Sequence, residues 1–301
     1  MHASVYMLEK EWIEHKAVSR IPLFVLVCVL VLFAGILSNG NVQSNLSFEM
    51  SYSGFDNMDL QFVDEFSSLI VVLAGALSIM LSTLYIPKTL RKERQEGSSM
   101  FWRSMPVSNL MTHGVKLTFG LLVIPVICSV LVIASDLMFW LVNLATDDAI
   151  PLLMHQRSLL FVLTHWLNYL GLMLLVALAL LPLACITLLI SQLVNSPILV
   201  MFIAVYALKW LSLGLFGSDA IGDFFHQTLA LPLNILTDSS LSQVVAQISV
   251  ANALIYIALG VVSFILSLKC YQTDEVSWLY CSAKTQSKDS GGFGLLFFAR
   301  F

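Results

Sequence analysis

The sequence predicts an all-α integral membrane protein with six transmembrane helices and both termini on the cytoplasmic side, a class that rests on three observations. The first is composition: the 301 residues are 58% hydrophobic and only 11% charged, where a soluble domain carries about 25% charged residues. The mean hydropathy is +0.87. The second is that the apolar residues gather into runs close to the 20 or so that a helix needs to cross the hydrocarbon, with no strict alternation of the kind a barrel requires. Six runs qualify, over residues 21–37, 67–86, 117–141, 159–190, 198–216 and 250–268. The third is charge: with both termini inside, the inner segments 1–20, 87–116, 191–197 and 269–301 hold 13 of the 15 Lys and Arg, because moving a basic side chain across the bilayer is costly.

Each element then follows in chain order. In residues 1–20, Val5, Leu8 and Trp12 fall on one narrow helical stripe, with Lys10, Glu11 and Glu14 turned away from it, the pattern of an amphipathic helix on the inner membrane face. A cleavable leader is the competing reading of the first apolar run. Glu9, Glu11 and Glu14 ahead of it, and the lack of a small-x-small site after it, argue against that reading. The first outer loop is acidic, with Glu49, Asp56, Asp59, Asp64 and Glu65. The net charge of −4 is therefore split by side of the membrane, and no basic face for nucleic acid exists.

The loop 87–116 alone holds six Lys and Arg. Pro87 should disturb the second helix, a charged stretch continues to Glu96, and Gly97 supplies a left-handed stop. Ser98 or Ser99 can cap a short helix bearing Met100, Phe101 and Trp102; Pro106 ends it, and Ser108 can cap the next helix, which leads into the third span. A short capped helix with aromatic knobs suits a groove on a cytoplasmic partner. The alternative is an ordinary basic inner loop with interfacial aromatics.

The outer segment 217–249 is too polar to span, with Asp219, Asp223, His226 and Asp238, yet it is rich in Leu, Phe and Ile. Two short half-inserted helices interrupted at Pro232 reconcile these facts; a plain outer loop is the alternative. Lys209, Asp136, Asp219 and Asp223 fall at a similar depth near the outer ends of their helices, so they are candidates for an outer ion pair or a transport pathway. Residues 269–301 form an inner tail ending in a Ser/Gly/Lys-rich linker and an apolar stub.

Enzyme signatures are missing. No Gly-Lys pair occurs, which excludes a phosphate-binding loop of the Walker type, and H-E-x-x-H, G-x-S-x-G and C-x-x-C are all absent. The six His are scattered, with none paired at metal-ligand spacing on a helix, and His165 is expected to be a hydrogen-bonded packing residue. No cysteine falls in an outer loop, so no external disulfide is available.

The order Glu93, Glu96-Gly97-Ser98, Pro106-Val107-Ser108, then Gly114 and Lys116 before an apolar span resembles type-2 ABC transporter permeases. Leu8-Glu9-Lys10-Glu11 stands where that family has a Lys-Glu pair in its amphipathic elbow helix. The sequence departs from the family in Ser98, where Thr is usual, and in the separation of Gly114 from Lys116. The resemblance implies a transport domain over 21–268, an elbow helix over 1–20, a coupling loop over 87–116, a re-entrant outer segment over 217–249 and a tail over 269–301. It also implies an exporter of lipid-like, drug-like, peptide or glycan cargo in a bacterial inner membrane. No cofactor would be bound by this chain: ATP and Mg would sit on two copies of a separate ATPase subunit, with a second permease copy completing a homodimer surrounded by membrane lipid. Glu93, Arg94, Glu96, Gly97, Ser98, Phe101 and Trp102 would contact the ATPase. A secondary transporter driven by an ion gradient is the alternative, and it would need ionisable groups within the membrane.

Overall fold

The computed structural model describes residues 3–38, 58–95, 108–145, 159–194, 196–217, 220–237 and 249–289. Among them every element is helical. In order these are α1 (Ala3–Glu14), α2 (Lys16–Ser38), α3 (Met58–Gln95), α4 (Asn109–Thr118), a π-helical turn (Phe119–Val123), α5 (Ile124–Ala145), α6 (Leu159–Leu193), α7 (Pro197–Phe216), α8 (Ala220–Thr237) and α9 (Val250–Asp289). Five stretches are long and apolar enough to cross a membrane: Ser68–Leu90, Asn109–Leu141, Leu159–Leu193, Pro197–Gly214 and Val250–Tyr271. This is a multi-pass membrane protein. The apolar helix α2, 23 residues long, covers the first apolar run of the sequence.

The core lies between α3, α5 and α6. Ile124, Val132, Val176 and Leu188 are fully enclosed there, and Val18 of α2 and Leu236 of α8 close its sides. In lipid, apolar surface gives little drive for helix association, so close approach and internal hydrogen bonds carry more of the packing. Two glycines mark the closest approaches. A Cβ on Gly75 would strike the Leu236 side chain of α8, and one on Gly260 would lie 2.7 Å from both Cα and Cβ of Pro182, where α9 crosses α6.

Four prolines, Pro22, Pro87, Pro182 and Pro232, lie within helices instead of ending them. Pro87 is inside α3, which runs unbroken to Gln95, so the helix carries past the membrane: 38 residues at 1.5 Å each make about 57 Å against about 30 Å of hydrocarbon. Pro232 lies inside α8, a single helix of 18 residues, where the sequence suggested an interruption. A proline removes one helix hydrogen bond; here Ile235 and Leu236 in the turn beyond it are buried against the core, which offsets that loss. The last helix also overruns its expected end at Leu268 and continues to Asp289, through a stretch containing neither Gly nor Pro.

The joint between α4 and α5 follows from its own residues. Ser108 caps α4 as its spacing predicts, its Oγ accepting from the Met111 N–H at 3.3 Å. At the π-helical turn the Ile124 N–H reaches back five residues to the Phe119 carbonyl, and Pro125 has no N–H to give. The Gly120 carbonyl is thereby left without a donor from its own helix. Ser82 of α3 supplies one, its hydroxyl donating at 2.6 Å. Gly120 also permits the close approach, since a Cβ there would meet Ile86 at 2.9 Å.

Candidate functional site

The polar residues of this bundle concentrate at the end where α1, the C-terminal part of α3 and α4 meet. The amphipathic stripe of α1 sorts as its spacing predicts: Val5 and Trp12 are exposed, while Leu8 packs partly against the core. The charged face, turned away from that stripe, rests against the bundle and not in water, so Lys10 and Glu11 are buried. Glu11 is the centre of the junction. Its Oε1 accepts from Lys116 Nζ of α4 at 2.8 Å, and its Oε2 accepts from the Tyr85 hydroxyl at 2.6 Å and the Thr89 hydroxyl at 3.2 Å, both on α3. Lys116 also donates to Thr89 Oγ1 at 2.9 Å. His15 stands 3.6 Å from Glu11 Oε2, with its ring edge-on to Tyr85.

Both carboxylate oxygens and the ammonium are thus supplied, the condition under which a buried pair is held without a naked charge. Burial pushes the Glu11 carboxyl up, but the Lys116 ammonium, the hydrogen bonds from Lys116 and Tyr85, and His15 together outweigh it, leaving Glu11 below the usual carboxylate range. The junction has the build of a fixed strut between three helices: both oxygens of the acid are engaged by donors from α3 and α4.

One turn earlier on α4, His113 is wholly buried and makes a second knot. Its Nδ1 donates to the Asn109 carbonyl at 2.9 Å, which leaves Nε2 as the acceptor for the Ser267 hydroxyl of α9 at 3.2 Å. Gln192 of α6 donates to Ser267 at 2.9 Å, and its side-chain nitrogen also lies 3.3 Å from His113 Nε2. Tyr271 meets the imidazole edge-on. Sequence spacing gave no sign of this knot, because its members come from three helices up to 154 residues apart. The one local clue was a polar side chain entering a membrane helix.

The sequence-derived contact residues Glu96, Gly97, Ser98, Phe101 and Trp102 lie outside the described residues, as do the side chains of Glu93 and Arg94, whose backbone ends α3. What is described is the immediate surroundings of that segment: α3 leads into it, and Ser108 opens α4 directly after it.

At the opposite end, Asp136 of α5 is enclosed, and its Oδ2 lies 2.7 Å from His165 Nδ1 of α6. His165 is hydrogen-bonded as expected, and Phe161 stacks on its ring. Lys209, on the exposed side of α7, and Asp223, exposed on α8, form no ion pair with Asp136 among the described residues, and Asp219 lies outside them. The imidazole, not the lysine, takes the Asp136 charge. Below this pair, Trp166 donates to Ser129 at 3.1 Å.

No protein-family model, no curated protein and no solved structure matches the chain.

Proposed function

We propose that this chain is the permease subunit of an ATP-driven ABC exporter in the bacterial inner membrane, working as a homodimer on two copies of a separate ATPase that holds ATP and Mg. In this reading α2 is the first of six spans, α1 is the elbow helix, α8 belongs to a re-entrant outer segment, and the end holding Glu11 and Lys116 faces the cytoplasm. Cargo is lipid-like, drug-like, peptide or glycan.

The observation that carries the reading is the double anchorage of α4. This helix begins directly after the segment 96–107, and Lys116 ties it to α1 and α3 while His113 ties it to α6 and α9. A push on that segment is passed to both sides of the bundle at once, because packed helices joined by buried hydrogen bonds move as bodies. Such a transmitting element is what a transporter with no phosphate-binding loop of its own requires. The resemblance of Glu93, Glu96-Gly97-Ser98 and Pro106-Val107-Ser108 to the coupling region of type-2 permeases supports the same conclusion.

Phe101 and Trp102 are the anchors in this reading, since central aromatics carry most of a small interface, about 2 kcal/mol or more each. Replacing both with Ala is expected to abolish co-purification of the ATPase while the chain still inserts and elutes as the wild type. A double variant that retains the ATPase and full coupling would remove the coupling helix from the account and favour the ion-gradient reading.

A further inference from the structure

The two buried acids among the described residues are built differently. Glu11 has donors on both oxygens and a lysine for its counter-charge. Asp136 is equally enclosed, with 1% of its surface exposed, but among the described residues only Oδ2 is engaged, by His165, and Oδ1 has no hydrogen-bond partner. A carboxylate that served only to hold helices together would be held as Glu11 is, because an unsatisfied buried acceptor is costly and a half-paired buried charge more so. The counter-group differs too. A lysine keeps its proton across the physiological range, whereas an imidazole is the side chain able to give one up there.

The pair also sits inside the apolar layer. Asp136 is nine residues from the end of α5 and His165 six from the start of α6, placing them about 9–14 Å below the helix ends at 1.5 Å per residue. His165 is not sealed off as Asp136 is: 16% of its side chain is exposed.

Other titratable side chains described on the surrounding helices are Lys16, Arg20 and Cys28 on α2, Tyr85 and Lys88 on α3, Cys128 on α5, Tyr169 and Cys185 on α6, Tyr206 and Lys209 on α7, Asp223 and His226 on α8, and Tyr256, Lys269, Cys270 and Tyr271 on α9. Among the described residues none of these is bonded to Asp136, whose described partner is His165.

The geometry points to a proton-exchange site formed by Asp136 and His165, loaded and emptied from the side of the membrane remote from α1. In the loaded form the imidazole carries a proton on each nitrogen, with Nδ1–H on the Asp136 carboxylate, and the pair is electrically neutral and tolerates the apolar surroundings. In the emptied form the proton has passed from His165 Nε2 to water, Nδ1–H remains on Asp136 Oδ2, and the pair carries one negative charge. That charge, with Oδ1 bare, is stable only when water reaches it. Proton occupancy is therefore linked to closure of this end of the bundle, and a transport cycle that opens it exchanges a proton there. The inference rests on the reading of this chain as a transporter but does not depend on an ATPase partner.

The test is an infrared pH titration of the full chain reconstituted in phosphatidylcholine bilayers, comparing wild type with D136N and H165Q. The wild type should show a carboxylate and an imidazole signal that change together as the pH is varied. D136N should remove the carboxylate component and weaken proton binding by the remaining imidazole at least about tenfold, since it loses its anionic neighbour. H165Q, which leaves Asp136 without a counter-charge, should bring up a protonated-carboxyl band that is missing from D136N/H165Q. Wild-type and D136N spectra that differ by the same amount at every pH would overturn the proposal. So would an H165Q spectrum without the protonated-carboxyl band, which settles the matter even where D136N fails to fold.

Discussion

Replacing Lys116 with Met is expected to destabilise the bundle by about 3–5 kcal/mol, the usual cost of removing one partner from a buried ion pair. Lys116 is 2% exposed and supplies the one ammonium bonded to Glu11 among the described residues. Without it the carboxylate keeps Tyr85, Thr89 and the nearby His15 but has lost its bonded ammonium. The chain can then protonate Glu11 or release α1 from α3 and α4. A second change separates these effects: Glu11→Gln in the Lys116→Met background removes the stranded charge and should return more than half of the loss, as a neutral amide still accepts from Tyr85. The pH dependence has a definite sign. Because Glu11 lies below its ordinary value of 4.5 when folded, the pair's contribution is fully present above that value and fades as pH falls through the lower folded one. The gap between wild type and Lys116→Met, measured by reversible unfolding in mixed micelles, should accordingly narrow in acid. A gap that is flat with pH would mean that the Glu11–Lys116 charge pair is not what holds α1 in place.

The other large effect is expected at Gly260. A Cβ at this position falls 2.7 Å from the Pro182 backbone and ring, and the contact is with a Cα, which cannot swing aside as a side chain does. Overpacking a well-filled site costs about 1–3 kcal/mol when neighbours can adjust; Gly260→Leu forces α9 off α6 outright and should reach or exceed the top of that range. The loss should spread to what the crossing holds in register. Tyr256 of α9 donates to the Ala179 carbonyl of α6 at 3.0 Å, and Ser267 bonds His113 and Gln192 further along. Gly214→Leu is the control, since nothing lies within 4 Å of a Cβ there. Equal melting temperatures for the two variants would contradict the close crossing.

Much of the fold was legible because hydropathy is a property of the local chain. The apolar runs, the Ser108 cap and the sorting of Val5 and Trp12 from Lys10 and Glu11 on α1 all follow from residues within a few turns of one another. The partners of the charged face were not legible. A helical stripe shows that Glu11 points away from Trp12, but whether it meets water or Lys116 is decided by a helix 105 residues further on. The same reason hid the His113 knot and gave Asp136 a different partner from the one its depth suggested, since depth alone does not say which helices are neighbours. Pro87 and Pro232 misled in the opposite sense: the local penalty of a proline is real, but burial of the turns around it overrides that penalty inside a packed helix.

Coupling to a cytoplasmic ATPase requires that the end holding Glu11 and Lys116 faces the cytoplasm. Labelling with a membrane-impermeant thiol reagent tests this directly, using intact cells that carry single cysteines at Ser98, Asp56 or Asp147 in a chain whose five native cysteines are replaced by Ala. Cysteines at positions 56 and 147 should label from outside, and the one at 98 should label only after the cells are opened. Labelling of position 98 in intact cells would contradict the orientation and, with it, any contact between this segment and a cytoplasmic ATPase.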